Sequence, residues 1–297
     1  MSIARDLYRE CVNQDPDFAP AWARLGRCYR FLQKLGEEGP QSLELAKWAF
    51  HRAFALSPDL PIAHNMYTSI EADTGHAQAA MVRLLGQAEK HPNDPELFGG
   101  LIQACRYCGL LEESLRAHQR ARRLDSRIVT SVAFTHFLLG DFERSIEWYP
   151  PGTRFYLDLA ALAAAGREDE AAELLSQRSY AVDKWPEMES LRFSLRGDHA
   201  GSLAIVRQAL AKPAPDPEST FFLARQMARD GEHADALSTI RDAASEGFFC
   251  STALRSDPWL QPLSRLPGFG DVLGEVIGLE AAARATFQHA GGDRVLS

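Results

Sequence analysis

Apolar residues along this 297-residue chain recur at three- and four-residue spacings, with Leu and Ala dominant and Val and Ile sparse. That period marks one face of an α-helix, whereas strands would alternate apolar and polar positions in β-branched runs. Short breakers separate the periodic segments: Asp15-Pro16, Ser57-Pro58, His91-Pro92, Asp94-Pro95, Pro150-Pro151, Asp216-Pro217 and Asp257-Pro258, alternating with single glycines. Proline at such points cannot lie in a helix interior, and glycine permits a tight turn between two helices. The pattern predicts an all-α chain built as helix, short turn, helix throughout.

These pairs repeat. Trp22-x-x-Leu25-Gly26-x-x-Tyr29 is followed by Ala46-x-x-x-Phe50, Ala53 and Pro58, with an enlarged turn over Gly36 to Leu43. From Pro58 the closing proline recurs at Pro92, with Ala80 and Leu84 in the places of Ala46 and Phe50. A further unit runs from Phe98, Leu101 and Cys105 through Gly109 to Ser114, His118 and Ala121, where Ser126 replaces the closing proline. Later turns stand at Gly140-Asp141-Phe142 and Gly166-Arg167-Glu168, after shortened first helices, and at Gly197-Asp198-His199 and Gly231-Glu232-His233. Arg178 to Trp185 fits worst, and the pattern does not place the helix that begins near Glu187.

The first unit resembles the tetratricopeptide repeat, whose first-helix signature it matches residue for residue and whose second-helix signature follows after a longer interval than the family pattern. The resemblance implies an α-α superhelix of about seven helix pairs, capped by a helix at each end, because one pair cannot bury its own apolar face. Gly26, Ala46 and Ala53 would let helix backbones approach, with Trp22, Leu25, Tyr29 and Phe50 filling the surrounding space. On this reading residues 1–297 form a single solenoid. A lone second helix spans 1–16, the best-formed repeats 17–126, divergent repeats 127–247 and a C-terminal cap 248–297.

Ala4, Tyr8, Cys11 and Pro16 carry second-helix spacing with no first helix before them, which calls for a cap or an upstream neighbour. At the other end, Phe248-Phe249, Leu254 to Leu260, Pro262-Leu263 and Leu266-Pro267-Gly268-Phe269 resemble the terminal cap of bacterial repeat modules. Such modules are attached to signalling enzymes or DNA-binding regulators, among them adenylate cyclases, serine/threonine kinases and winged-helix activators. A last amphipathic helix is expected over Asp271 to His289, before a Gly291-Gly292 tail.

Composition adds exclusions. Hydrophobic residues at 45% and charged residues at 24% suit a packed core rather than a disordered chain. A formal charge of −8 weighs against nucleic acid as the partner. Five scattered cysteines suit a reducing, cytoplasmic compartment. The opening residues lack the apolar core of a signal peptide, and the longest apolar stretch, Leu157 to Ala165, is about half a membrane span.

Candidate chemistry is sparse. Cys105-x-x-Cys108 falls at the C-terminal end of a predicted first helix, where the dipole opposes thiolate formation. A zinc site would need two further ligands at suitable spacing, which are lacking. His76, His199 and His233 mark turns, and His118 takes a packing position. There is no nucleophile elbow, phosphate loop or dinucleotide fingerprint, and Gly268-Phe269-Gly270 lacks a preceding strand. No catalytic residue, metal ligand or cofactor is expected. Arg116, Arg120, Arg122, Arg123 and Arg127 read as a solvated helix face.

The resemblance implies that first helices line a concave face that holds a peptide of another protein. In the Trp22 register that face takes Ala23, Arg27, Arg30, Asn65, Ser69, Gln103, Arg106 and Tyr107, then Arg127, Thr130, Phe134 and Arg154. Arginines with aromatic support suggest an acidic or phosphorylated segment as the ligand. The family variant that clamps a C-terminal carboxylate is not supported, because Ala23, Met66, Glu96 and Gly100 occupy four of its five positions and only Arg27 suits the task. The expected function is a protein-binding scaffold in bacterial signalling, not an enzyme. The alternative is the regulatory or oligomerisation tail of a multidomain enzyme or transcription regulator.

Overall fold

The computed structural model describes residues 1–34, 39, 41–149, 156–177, 185–211 and 216–297, and every regular element among them is helical. A lone helix α1 (Ser2–Gln14) precedes a series of helix pairs. The first four are α2 (Ala19–Lys34) with α3 (Gln41–Leu56), α4 (Pro61–Asp73) with α5 (Ala77–Lys90), α6 (Pro95–Tyr107) with α7 (Leu111–Leu124), and α8 (Val132–Leu138) with α9 (Phe142–Trp148). Three more follow: α10 (Leu157–Ala164) with α11 (Glu168–Gln177), α12 (Pro186–Leu195) with α13 (His199–Leu210), and α14 (Pro217–Arg229) with α15 (His233–Ser245). The C-terminal region holds α16 (Ser251–Ser256), a 3-10 helix (Gln261–Arg265), α17 (Phe269–His289) and α18 (Gly292–Val295).

Local chemistry sets these boundaries. Pro61, Pro95, Pro186 and Pro217 occupy first turns, where a missing N–H costs nothing. Asp94, Asp198 and Asp216 cap helix N-termini by accepting from the backbone N–H of Glu96 (2.9 Å), Gly201 (2.8 Å) and Ser219 (3.0 Å). Between α6 and α7 the chain turns at Gly109, whose φ of 67° lies in the left-handed region open to glycine. The short α8 and α10 agree with the shortened first helices expected there, and the unplaced helix near Glu187 is α12.

The two members of each pair pack together, and first helices also pack in sequence, α2 on α4, α4 on α6 and α6 on α8. Gly26 of α2 shows why the first seam is close: a Cβ there would lie 2.8 Å from the Phe50 ring. Trp22, Leu25, Tyr29 and Phe50 are buried around that contact, and the Trp22 indole N–H donates to the Pro16 carbonyl at 2.8 Å.

Two features depart from expectation. Beyond residue 248, α16 and a 3-10 helix precede α17, which covers the last helix expected over Asp271 to His289, but Gly291-Gly292 is not a free tail, since Gly292 opens α18. In addition, α17 packs on both α5 and α15, and α18 on α5, so the C-terminal region returns to the early pairs. Part of the enlarged turn and all of Arg154 lie outside the described residues. Among the described residues no helix is long and apolar enough to cross a membrane.

Candidate binding site on the inner ends of the first helices

Helix α14 is buried on nearly all sides: eleven of its thirteen residues are buried, including Glu218, Arg225 and Gln226. A helix so enclosed draws most of its polar groups onto internal partners, though both Arg225 Nη atoms and Gln226 Oε1 have no hydrogen-bond partner among the described residues. Arg225 donates to Asp257 and stacks on the Trp259 ring (3.6 Å to its centre) and on that of Phe137 (4.7 Å). Gln226 donates to Asp230 at 2.8 Å. Phe222 meets the rings of Phe134, Phe137 and Tyr156 edge-on.

The N-terminus of α14 meets the C-terminal ends of α2, α4 and α6. Arg106 donates from Nε and an Nη to the two Glu218 oxygens (2.8 and 3.2 Å), and from its other Nη to Ser131 Oγ (2.9 Å). Lys34 Nζ lies 2.9 Å from Asp73 and 3.0 Å from Asp216. Arg30 pairs with Asp73, and the Tyr107 hydroxyl donates to the same carboxylate at 2.8 Å. Arg106 also lies over the rings of Tyr107 and Phe134.

Burial and charge oppose each other in this cluster. Burial disfavours the Asp216 carboxylate, but Lys34 and the Ser219 N–H outweigh it and hold the group down to about 2. Lys34 keeps its proton more tightly than a free lysine, because Asp216 and Asp73 overcome its desolvation. Burial raises Glu218 despite Arg106, and drives the Tyr107 phenol well above its usual range, aided by Asp73 and the two α14 carboxylates.

The residues expected on a concave face therefore divide. Arg30, Arg106 and Tyr107 are buried and bonded within the chain, Arg106 being only 2% exposed. Phe134 is half-buried beside Phe222 and Arg106. Arg27 faces solvent, and Asn65, Ser69 and Gln103 are half-buried. Asn65 donates to Glu96, and its amide lies 3.3 Å from where a Cβ on Gly99 would stand. Arg127 is 93% exposed in the connector after α7, whose Ile128 abuts Gly99. The row of first helices thus has a sealed half at the helix C-termini and a more open half along Arg27, Asn65, Ser69 and Gln103, where Asn65 is bonded to Glu96 and the Ser69 hydroxyl donates to the Met66 carbonyl at 2.9 Å.

Lys34, Asp73, Asp216 and Glu218 carry no mark of this role in the sequence. Asp216-Pro217-Glu218 reads there as a helix start, and its cationic partners lie more than a hundred positions away. The available signal was complementarity between an acidic helix start and the arginines predicted to face inward.

Elsewhere the side chains are structural. Burial pushes the Cys108 and Cys250 thiols up to about 12 and raises Cys105 well above its ordinary value, the reverse of what a reactive thiol requires. His118, pressed edge-on against Trp148, is held down to about 4 by burial and Arg122. Arg116 pairs with Asp293, Arg120 covers Phe98 and Arg122 covers Trp148. Among the described residues no group of His, Cys, Asp and Glu is arranged to hold a metal ion. No protein-family model matches the chain, and no curated protein matches it at a significant level.

Proposed function

We propose that the chain is a tetratricopeptide-type protein-binding module, and that it receives an extended segment of another protein along the open half of its first-helix row. The observation that carries this reading is the stripe of Arg27, Asn65, Ser69 and Gln103, contributed by α2, α4 and α6 in succession. Side-chain amides and a hydroxyl at that spacing suit the backbone N–H and C=O groups of an extended peptide. Support for the repeat reading comes from the α2–α3 seam, where Trp22, Leu25, Gly26, Tyr29 and Phe50 make the close packing their signature requires.

The sealed half changes the ligand's chemistry from that first expected. Glu218 and Asp73 neutralise Arg106 and Arg30, which leaves Arg27 to favour acidic or phosphorylated residues at one edge of the stripe, while the exposed Arg127 is shared with Asp125 at 3.9 Å. Recognition then falls mainly on the ligand's backbone. The reading is of a binding scaffold rather than an enzyme, acting in the cytoplasm.

The test is affinity purification from the native host with the wild type and with Arg27→Glu combined with Gln103→Ala. Arg27 faces solvent and Gln103 is only half-buried, so the variant keeps its helical signal and melting temperature. It should lose a partner that the wild type retains, and capture of an unchanged set of proteins would refute the groove. Arg106→Glu is unsuitable for this purpose, because it sets a second carboxylate against Glu218 in the interior.

A further inference from the structure

His64 of α4 is buried, at 5% exposed, and both of its ring nitrogens are engaged inside the chain. Nε2 lies 2.9 Å from the Pro58 carbonyl oxygen, in the turn between α3 and α4, and Nδ1 lies 2.7 Å from a terminal nitrogen of Arg83 on α5. A carbonyl oxygen can only accept a hydrogen bond and a guanidinium can only donate, so the ring is neutral, with its one N–H on Nε2. The same guanidinium donates to the His64 carbonyl (3.3 Å) and to the Thr68 hydroxyl oxygen (3.1 Å), and it pairs with Glu71. On α3, the Phe54 ring packs against the imidazole with centres 4.9 Å apart. One histidine thereby ties the end of the first helix pair to both members of the second.

We propose that His64 is an acid-sensitive joint between these two pairs: a proton arriving at Nδ1 drives Arg83 off the ring and loosens α5 and the α3–α4 turn from the start of α4. Protonation replaces the acceptor that faces Arg83 with a donor and sets a second cation against the guanidinium. Arg83 is retained by Glu71, further along α4, so withdrawing from the ring also surrenders its bonds to the His64 carbonyl and Thr68. The charges that act on the ring are Arg83 and Lys90 of α5 and Asp59 of the turn, and Lys90 and Asp59 are paired at 3.0 Å. Other helices packed on α4 commit their charges elsewhere: Glu96 of α6 to Asn65, and Arg30 and Lys34 of α2 to Asp73. Burial and Arg83 both oppose the proton, and they outweigh the Pro58 carbonyl and Asp59 to hold His64 below the ordinary histidine range.

A histidine that takes its proton less readily when folded contributes stability that is complete above the unfolded value of about 6.5 and is lost as pH falls through it toward the folded one. The decisive measurement is nitrogen-15 NMR of the uniformly labelled full chain between about pH 8 and about pH 5, set against a free-peptide histidine at about 6.5. His64→Gln identifies the signal among the nine histidines by its loss. Should the glutamine variant fail to fold, Arg83→Met identifies it instead, by moving its titration toward the free-peptide value. The expected result is a His64 ring that carries its proton on Nε2 at neutral pH and titrates below the free peptide. The amide signals of Asp59, Thr68 and Arg83 should shift with the same midpoint, and the urea midpoint of the wild type should fall relative to His64→Gln on acidification. A ring protonated on Nδ1, a titration at or above the free-peptide value, or amides and urea midpoints that ignore the His64 transition would overturn the joint.

Discussion

Arg27 and Arg106 belong to the same row of first helices, yet one meets water and the other meets Glu218. The difference matters for what each contributes. Removing one member of a buried, bidentate pair leaves the other charge without compensation, at about 3–5 kcal/mol, whereas replacing both by apolar side chains is often near neutral. Arg106→Met should therefore lower the urea unfolding free energy by about 3–5 kcal/mol. Arg106→Met with Glu218→Met should recover most of that loss. A single variant that loses less than about 1 kcal/mol, the range of an exposed pair, would show that Arg106 is not sealed. Arg27→Met, with no acid at its guanidinium among the described residues, serves as the control and should leave stability unchanged.

Among the elements, two helical glycines separate packing from propensity. A Cβ at Gly26 would come within 2.8 Å of two Phe50 ring atoms and 3.1 Å of the Ala46 carbonyl oxygen, whereas one at Gly86 in α5 meets nothing within 4 Å. Gly86→Ala should raise stability by about 0.5–1 kcal/mol through helix propensity. Gly26→Ala should lower it by about 1–3 kcal/mol through overpacking, a difference in sign that paired thermal melts would read directly. Gly26 also shows what was legible in the sequence. The seam of α2 and α3, the glycine turns and the order of helix pairs follow from spacings within some thirty-odd residues, which local periodicity reports. α14 shows what was not. Its Phe221, Phe222, Leu223, Ala224, Met227 and Ala228 read as one more apolar helix, and nothing nearby discloses that Glu218 and Arg225 are also interior. Their partners Arg106 and Asp257 belong to other pairs, so burial of those charges is settled by tertiary contact. For the same reason Arg30, Arg106 and Tyr107 could be placed on the inner row but not assigned to its sealed half.

Over the whole molecule, contacts between sequence-distant parts change how the chain should unfold. In an array where each unit touches only its neighbours, units open piecemeal and stability is a sum of local terms. Here the Phe249 N–H donates to the Tyr107 carbonyl at 3.1 Å, Arg284 pairs with Glu113, and Arg294 pairs with Glu89. A close backbone approach joins two turns: a Cβ on Gly247 would stand 2.8 Å from the Cα of Gly75, and Gly247 itself has a φ of 104°. Alanine at 247 strains the backbone by about 1–3 kcal/mol on conformation alone, and the collision with Gly75 adds to it because the atoms met are backbone rather than a movable side chain. The loss falls on the junction between α4–α5 and the end of α15 rather than on either pair. Hydrogen exchange should therefore speed up together in α4, α5, α15 and α17 of Gly247→Ala, by a common factor set by the lost stability. Faster exchange confined to α15 and α17, with α4 and α5 unchanged, would mean that the C-terminal region merely rests on the early pairs and that each part folds on its own account.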